Sequence, residues 1–169
     1  MHVEQTVLIR PEDGELVWFG GVGAQFKLFG EQTRGAFSLI VQPVEPRRLV
    51  PPHVHWGEDE FSYVLEGELG ARVGDQEVLA GAGCIILKPK GVPHTFWNAT
   101  SKPAKFIEII SPPGFEKFFA EFSDVFRTAE FSRLDGLFKK YGARPGDNEM
   151  VEGWAEELIA KYDLKLLGQ

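Results

Sequence analysis

The chain has 169 residues, a length typical of one domain, and its 43% hydrophobic and 25% charged residues are ordinary for a globular protein. Its 19 glycines and 14 phenylalanines favour a β-rich fold with many tight turns around an aromatic core. A formal net charge of -7 would repel nucleic acids and anionic membranes. The composition therefore predicts a small-molecule partner, with no nucleic acid and no membrane.

Cysteine usage and the absence of long apolar runs bear on the cellular compartment. No segment is long and apolar enough to span a membrane, and residues 1–10 lack the apolar run of a signal peptide. The single cysteine, Cys84, has no intramolecular disulfide partner, which suits a reducing compartment. We therefore expect a cytoplasmic protein. Because Cys84 begins an apolar run, it is predicted to be a small buried side chain without a catalytic role.

The first two thirds of the chain alternate between short apolar runs and turn residues. The glycine-rich stretch 20–23 lacks the Lys-Ser/Thr of a phosphate-binding loop and precedes a strand-like segment, so it is interpreted as a hairpin turn. Many short strands at regular spacing predict a sandwich or a barrel. The predicted strands are 6–9, 15–19, 25–29, 36–41, 61–65, 68–73, 76–80, 84–88, 93–98 and 105–110.

The hydrophobic periodicity becomes helical after residues 111–114. Two helices are predicted at 132–141, ended by Gly142, and at 148–162, with Asp147 as the N-cap. An earlier amphipathic helix is expected to pack against the barrel or a partner subunit, where it would also shape a pocket. Its apolar stripe consists of Phe115, Phe118, Phe119, Phe122, Val125 and Phe126.

Two histidines and a glutamate within residues 51–67 have a spacing that suits metal binding. His53 and His55 are separated by one residue, so in a strand both imidazoles project from the same face. A glycine-containing turn follows, and Glu60 then opens the next strand, where it can lie across the hairpin from the histidines.

A third histidine, His94, follows a Pro/Gly turn in the segment 83–98. Three neutral imidazoles and one carboxylate suit one divalent first-row metal ion. An octahedral ion held in this way would keep about two positions for water, dioxygen or substrate.

Both segments resemble the paired motifs of the cupin superfamily over about residues 37–111. The first motif, G-x5-H-x-H-x3-4-E-x6-G, is matched by His53, His55, Glu60 and Gly67, with Arg47 replacing its leading glycine. The second, G-x5-P-x-G-x2-H-x3-N, is matched throughout by Gly83, Pro89, Gly91, His94 and Asn98. The departure at Arg47 concerns a turn and not a ligand.

The resemblance implies a mainly β, single-domain protein. A double-stranded β-helix (jelly-roll) cupin barrel would occupy residues 1–111, with a C-terminal α-helical extension over 112–169. The implied metal ligands are His53, His55, Glu60 and His94, and the same set accepts iron, manganese, nickel, cobalt, copper or zinc. A homodimer is expected, because the barrel edges and the apolar C-terminal helix would expose apolar surface in a monomer.

Strand alternation also predicts the residues of a substrate pocket. Phe96 and Asn98 should share the face of His94, while Ser62 and Val64 should share the face of Glu60. Aromatic candidates at the pocket mouth are Phe37, Trp56 and the stripe from Phe115 to Phe126. Such an apolar lining with few polar groups would suit a planar or hydrophobic ligand.

Three functions are compatible with these features. The chain resembles small bacterial cupins related to quercetin dioxygenases, which implies a metal-dependent dioxygenase, an oxidoreductase acting on a small aromatic or enediol-like substrate. Glu60 would then be catalytic, taking the substrate hydroxyl proton as general base. The alternatives are a metal-dependent isomerase or epimerase, although sugar substrates would want a more polar pocket, and a cupin binding protein without turnover.

Overall fold

A computed structural model describes residues 8–145 and 149–169, which form two β-sheets and three α-helices. The helices are α1 (Glu116–Thr128), α2 (Leu134–Tyr141) and α3 (Trp154–Tyr162), with short 3-10 helices at Phe131–Arg133 and Glu149–Val151. The strands are β1 (Leu16–Phe19), β2 (Val22–Leu28), β3 (Ser38–Val44), β4 (Arg48–Leu49), β5 (His53–His55), β6 (Asp59–Glu66), β7 (Glu68–Val73), β8 (Gln76–Gly81), β9 (Ile85–Lys88), β10 (His94–Asn98), β11 (Ala104–Ser111), β12 (Ala143–Pro145) and β13 (Lys165–Leu166).

The two sheets have the strand order of a jelly roll. One sheet runs β1-β2-β3-β11-β6-β9, and all of its neighbouring strands are antiparallel. In the other, β10 lies between β7 on one side and the short strands β4 and β5 on the other. Strand β7 also pairs with β8. The mainly β architecture with C-terminal helices is therefore confirmed.

Strand alternation places apolar side chains between the two sheets, together with several polar ones. On β11, Phe106, Glu108 and Ile110 are all buried, while the residues between them are more exposed. On β3, Gln42 is buried in the same inward-facing row as Ile40. The barrel interior thus contains buried polar groups, each of which needs a partner to offset its lost hydration.

Helix α1 covers the barrel with the phenylalanine stripe that its sequence predicted. Phe118, Phe119 and Phe122 are buried, and the rings of Phe119 and Phe122 lie 5.7 Å and 5.2 Å from the ring of Phe19 on β1. The stripe therefore packs on the barrel within its own chain. None of the described helices combines the length and apolar character needed to cross a bilayer.

The segment after residue 111 contains two short strands in addition to the helices that its sequence predicted. Strand β12 pairs antiparallel with β5, and β13 pairs in parallel with β4. Both short strands satisfy backbone groups of strands that would otherwise be sheet edges. The C-terminal segment is therefore part of the sheet that contains the histidines.

Of four local predictions, the burial of Cys84 is wrong and a hairpin turn is confirmed, while the other two concern residues that lie partly or wholly outside the described part of the chain. Cys84 is exposed rather than buried, because it lies in the turn between β8 and β9, where its N–H donates to the Gly81 carbonyl at 3.1 Å. The strand predicted at 6–9 begins outside the described residues, and residues 8–10 are not in a strand. The predicted cap Asp147 also lies outside them. The hairpin turn at 20–23 is confirmed, with Gly20 and Gly21 linking β1 to β2.

Candidate metal centre

The structure brings together the four predicted ligands from three strands. His53 and His55 lie on β5, and His94 on β10 is the direct cross-strand neighbour of His53. The turn after β5 returns the chain to β6, where Glu60 is buried. One donor atom from each residue lies within 4.8 Å of the others, a group that could hold a metal ion.

Two of the histidine rings are oriented by carbonyl groups of their own strands. The Nδ1 atom of His53 lies 2.7 Å from the carbonyl oxygen of Pro51, and Nδ1 of His94 lies 3.0 Å from that of Val92. A carbonyl oxygen only accepts hydrogen bonds, so each Nδ1 must carry the proton. The Nε2 lone pair of each neutral ring is then available to a metal ion.

The ring of His55 is oriented by a carboxylate instead. Its Nδ1 atom lies 2.7 Å from Oε1 of Glu58, a side chain that is almost fully buried beside it. The separation is that of an ion pair, although its angle does not meet that of a hydrogen bond. Glu58 nevertheless favours a proton on Nδ1, which directs the Nε2 lone pair of His55 toward Glu60.

The donor atoms face one another at distances that a bound metal ion would reconcile. Nε2 of His94 lies 3.3 Å from Oε2 of Glu60, and Nε2 of His55 lies 3.6 Å from Oε1. With both Nδ1 atoms protonated, these contacts oppose lone pairs to lone pairs. Nε2 of His94 has no hydrogen-bond partner within the described residues. A divalent ion among the four donors would satisfy all of them, so the residues fit a metal.

The pKa values of three of these groups are shifted in the direction that favours their metal-binding forms. Burial lowers the pKa of His53 well below its usual value, with a further contribution from the nearby His94 and His55. Burial also lowers the pKa of His94. Burial alone would raise the pKa of Glu60, but Lys88, His55 and His94 hold it well below its usual value. Neutral imidazoles and an ionised carboxylate are the ligating forms.

A buried lysine joins Glu60 to a second buried carboxylate that the sequence interpretation did not include. Nζ of Lys88 lies 2.9 Å from Oε2 of Glu60 and 2.6 Å from Oε2 of Glu108. Lys88 is 2% exposed and Glu108 is 1% exposed. Strand alternation contained the signal, because each charged residue occupies the inward row of its strand, Lys88 with Ile86 and Glu108 with Phe106.

The candidate metal centre borders a cavity of about 80 Å³ whose lining is partly polar and partly aromatic. The polar wall combines Glu60 and two of the histidines with Gln42, Lys88 and Glu108. The apolar wall is formed by Phe19, Phe96, Phe115, Phe118, Phe119, Phe122 and Phe138. The ring centroid of Phe115 lies 4.2 Å from that of His55, so the aromatic wall reaches the ligands themselves. Most of these phenylalanines come from α1 or the residue before it.

Of the predicted pocket residues, Phe96 lines this cavity and the others lie elsewhere. Trp56 is 53% exposed, in the turn after β5, and Phe37 is half-buried at the start of β3. Val64 is buried in the hydrophobic core. Ser62 donates a hydrogen bond to Glu108 and does not line the cavity.

Asn98, the last residue of the second motif, stabilises a loop instead of the pocket. Its amide nitrogen donates to the carbonyls of Val44, at 3.2 Å, and Lys102, at 2.8 Å. Its amide oxygen accepts from the backbone N–H of Thr100 at 2.9 Å. Asn98 is fully buried at the end of β10, but its hydrogen bonds are with β3 and the loop after β10, and it does not line the cavity.

A jelly-roll barrel with three histidines and one glutamate at its interior is the arrangement that the two cupin-like motifs implied. Residues 40–110 match the family model of the cupin domain, so the chain contains a cupin domain, and solved cupin structures share its fold. The family match ends before α1, so the aromatic wall comes largely from outside the shared domain. A comparison with curated protein sequences finds no significant match.

Solved structures of several different proteins share this fold. A predicted oxalate decarboxylase from Thermotoga maritima is 20% identical, with a TM-score of 0.56 over 61% of this chain and 96% of that one. A sugar phosphate isomerase from Silicibacter pomeroyi is 22% identical, with a TM-score of 0.53 over 61% and 74%. The polyketide cyclase RemF from Streptomyces resistomycificus is 24% identical, with a TM-score of 0.53 over 61% and 77%. These similarities establish the fold alone.

Proposed function

We propose that the protein is a metal-dependent dioxygenase acting on a small aromatic or enediol-like substrate. The observation that carries the proposal is the placement of three histidines and one glutamate against a wall of phenylalanines. Such a wall excludes water and would contact the flat face of a ring or a conjugated enediol. The same ligand set suits the redox-active ions iron, manganese, cobalt, nickel and copper.

The size of the cavity narrows the substrate class. Its volume of about 80 Å³ is well below the roughly 300–1,000 Å³ of sites that enclose drug-sized ligands. A single-ring or smaller enediol is therefore a better candidate than a three-ring flavonol in this arrangement of α1. Larger substrates would require the phenylalanines of α1 to move.

Each part of the site has a distinct role in this proposal. His53, His55, His94 and Glu60 would hold the ion, which when bound supplies Lewis acidity and access to dioxygen chemistry. The phenylalanines orient the substrate and exclude water. Lys88 keeps the Glu60 carboxylate ionised and fixed in position. These residues bind and orient the substrate before any bond changes.

A metal-dependent isomerase is the second candidate, favoured by one specific observation. Glu108 and Gln42 add polar groups to the cavity that a purely apolar pocket would lack. A second carboxylate beside a metal centre is suited to moving a proton between two carbons of a substrate.

Oxygen uptake separates the candidates. Metal-free protein would be reconstituted anaerobically with each divalent ion and then mixed with 4-methylcatechol or quercetin in an oxygen electrode. The proposal expects uptake with at least one redox-active ion, more with 4-methylcatechol than with quercetin, and none for His55→Ala. Binding of the probe without uptake under any ion would contradict a dioxygenase, and deuterium exchange into a bound hydroxyketone without uptake would favour the isomerase.

A further inference from the structure

Glu108 is a buried carboxylate that the predicted ligand set does not use. It lies on β11, between β3 and β6, and lines the same cavity as the phenylalanines. It is 1% exposed, and its donor atoms are not part of the four-residue ligand group. A buried carboxylate is costly in free energy unless it is paired, so its presence calls for a specific role.

The contacts of Glu108 leave one of its oxygens with spare accepting capacity. Oε2 accepts from Nζ of Lys88 at 2.6 Å and from Oγ of Ser62 at 3.0 Å. Oε1 receives only the longer contact from Ser62, at 3.2 Å. An ionised carboxylate offers about four accepting positions. Oε1 therefore has room to accept a further proton or hydrogen bond from a ligand in the cavity that Glu108 lines.

Lys88 forms ion pairs with both buried carboxylates. Its Nζ lies 2.9 Å from Oε2 of Glu60 and 2.6 Å from Oε2 of Glu108. When Glu60 holds a metal ion, Glu108 remains the counter-ion of Lys88. This ion pair engages Oε2 of Glu108, so Oε1, whose one contact is with Ser62, stays available to a substrate group.

We infer that Glu108 is the catalytic base of the proposed reaction and takes the hydroxyl proton of the enediol substrate, a role that the sequence interpretation gave to Glu60. The inference rests on the proposed function. The substrate O–H bond breaks and an O–H bond forms at Oε1 of Glu108. The electron pair stays on the substrate oxygen, which becomes an enolate, and Glu108 becomes a neutral carboxylic acid.

The electrostatics of the two carboxylates support this division of roles. Burial raises the pKa of Glu108 to about 7 even though Lys88 opposes the shift. Glu60 stays ionised, as a ligand must. The charged groups that act on Glu108 are Lys88 from β9 and Glu60 from β6, while the neutral Gln42 lines the same cavity from β3. A base with a pKa near neutrality transfers protons most effectively at neutral pH.

Infrared difference spectroscopy on the metal-loaded protein tests the inference without depending on turnover. 4-Methylcatechol would be added anaerobically at a pH where Glu108 begins ionised. In the wild-type protein, binding should produce the C=O band of a protonated carboxyl group. Glu108→Gln should abolish that band, bind the metal as before, and lower any oxygen uptake by about 100-fold, the usual scale for a lost general base.

Glu116→Gln is the matched control, because Glu116 is equally buried at 1% exposure but accepts from the backbone N–H of Gly114 outside the cavity. This control should keep the band. If Glu108→Gln fails to fold, Ser62→Ala is the alternative variant. It removes a hydrogen bond that stabilises the ionised form of Glu108, so the band of the protonated carboxyl group should appear at higher pH than in the wild-type protein.

The outcomes separate the two proposals. A band that persists in Glu108→Gln, or that does not move in Ser62→Ala, overturns the role of Glu108 whether or not oxygen is consumed. A band that depends on Glu108 without any oxygen uptake supports the role of Glu108 and overturns the dioxygenase instead.

Discussion

The Nδ1 atom of each histidine in the candidate metal centre contacts a group that is not itself a predicted ligand. Carbonyls two residues earlier in the chain fix the rings of His53 and His94, while Glu58 stands behind His55. Backbone carbonyls cannot be removed by substitution. Glu58 is therefore the one of these three partners whose effect on metal binding can be tested by mutation. Such partners fix the tautomer of a ligand and increase its basicity.

We expect Glu58→Gln to weaken metal binding by about 10- to 100-fold while leaving the fold intact, because the ligand set is unchanged but the negative charge behind His55 is lost. Competition with a chromophoric chelator measures the change. Glu66→Gln is the control, since Glu66 lies on the same strand as Glu60 but forms an exposed pair with Lys105. Equal affinities for Glu58→Gln and Glu66→Gln would show that Glu58 does not support the ligand.

The raised pKa of Glu108 also predicts how stability depends on pH. The folded value of about 7 lies above the ordinary 4.5. Between these pH values the folded chain retains a proton that the unfolded chain has released, so the free energy of unfolding falls as pH rises. The contribution is fully present below pH 4.5 and is lost as pH rises through about 7.

Glu108→Gln removes the ionisable group that causes this pH dependence. As pH rises from 4.5 to about 7, the free energy of unfolding of the wild-type protein should therefore fall relative to that of the variant, by at most about 1.4 kcal/mol per pH unit. Urea denaturation of both metal-free proteins at several pH values measures the difference. The other titratable groups are the same in both proteins, so their contributions largely cancel. Parallel stability curves would contradict the raised pKa.

Among the elements, α1 contributes both to the hydrophobic core and to the wall of the cavity. Phe118 stacks on Phe122 at 4.9 Å and lies 5.9 Å from Phe138 on α2, so the two helices share one aromatic cluster. The same rings line the cavity beside the candidate metal centre. The helix therefore sets the size of the substrate through the residues that also stabilise the fold.

Phe122→Ala should therefore lower stability and enlarge the cavity together. Truncating a buried phenylalanine costs about 3–5 kcal/mol, and Phe122 is 8% exposed. The variant should also bind quercetin more tightly than the wild-type protein does, since the added space accommodates a larger ligand. Urea denaturation and fluorescence titration measure the two effects. Phe131→Ala is the control, because Phe131 is 51% exposed. If the affinity for quercetin is unchanged in both variants, α1 does not limit the size of the substrate.

The position of Arg47 shows how a motif departure is accommodated by another element. The cupin motif has glycine there, and Arg47 adopts a φ of 60°, the left-handed conformation that glycine tolerates best. Its guanidinium donates to the carbonyl of Tyr162 at 3.0 Å, and its own carbonyl accepts from the N–H of Lys165 at 2.8 Å. Contacts with the C-terminal segment therefore offset the strain. No local pattern around Arg47 could indicate these contacts.

At the scale of the molecule, the parts that the sequence predicted are those with local periodicity or a spaced motif. His53 and His55 were predicted together because one strand carries both, and α1 because its phenylalanines recur every three or four residues. Strand β13 was not predicted, because its two residues depend on pairing with β4 more than a hundred positions earlier. Lys88 and Glu108 were missed although each interrupts an apolar inward row, since their pairing also spans distant strands.

The outer face of the six-stranded sheet is apolar across several neighbouring strands. Tyr63 pairs across strands with Ile85, and Phe61 pairs with Leu87, so these side chains share one face. Ile85 is 67% exposed and Leu87 is 52% exposed. A contiguous apolar face of this kind marks an interaction surface. Because the face lies on a regular sheet, we propose that a second copy of the chain covers it through a two-fold, self-complementary contact.

Leu87→Lys tests this dimer, because a charge placed within an apolar contact has no partner when it is buried. The wild-type chain should have twice the mass of one chain by light scattering at micromolar concentration, and Leu87→Lys should be monomeric. Leu79→Lys is the matched control: Leu79 is 54% exposed on β8, in the other sheet, and its substitution should leave the dimer intact. A monomeric wild-type chain, or a dimer that either lysine disrupts equally, would show that the six-stranded sheet is not the interface.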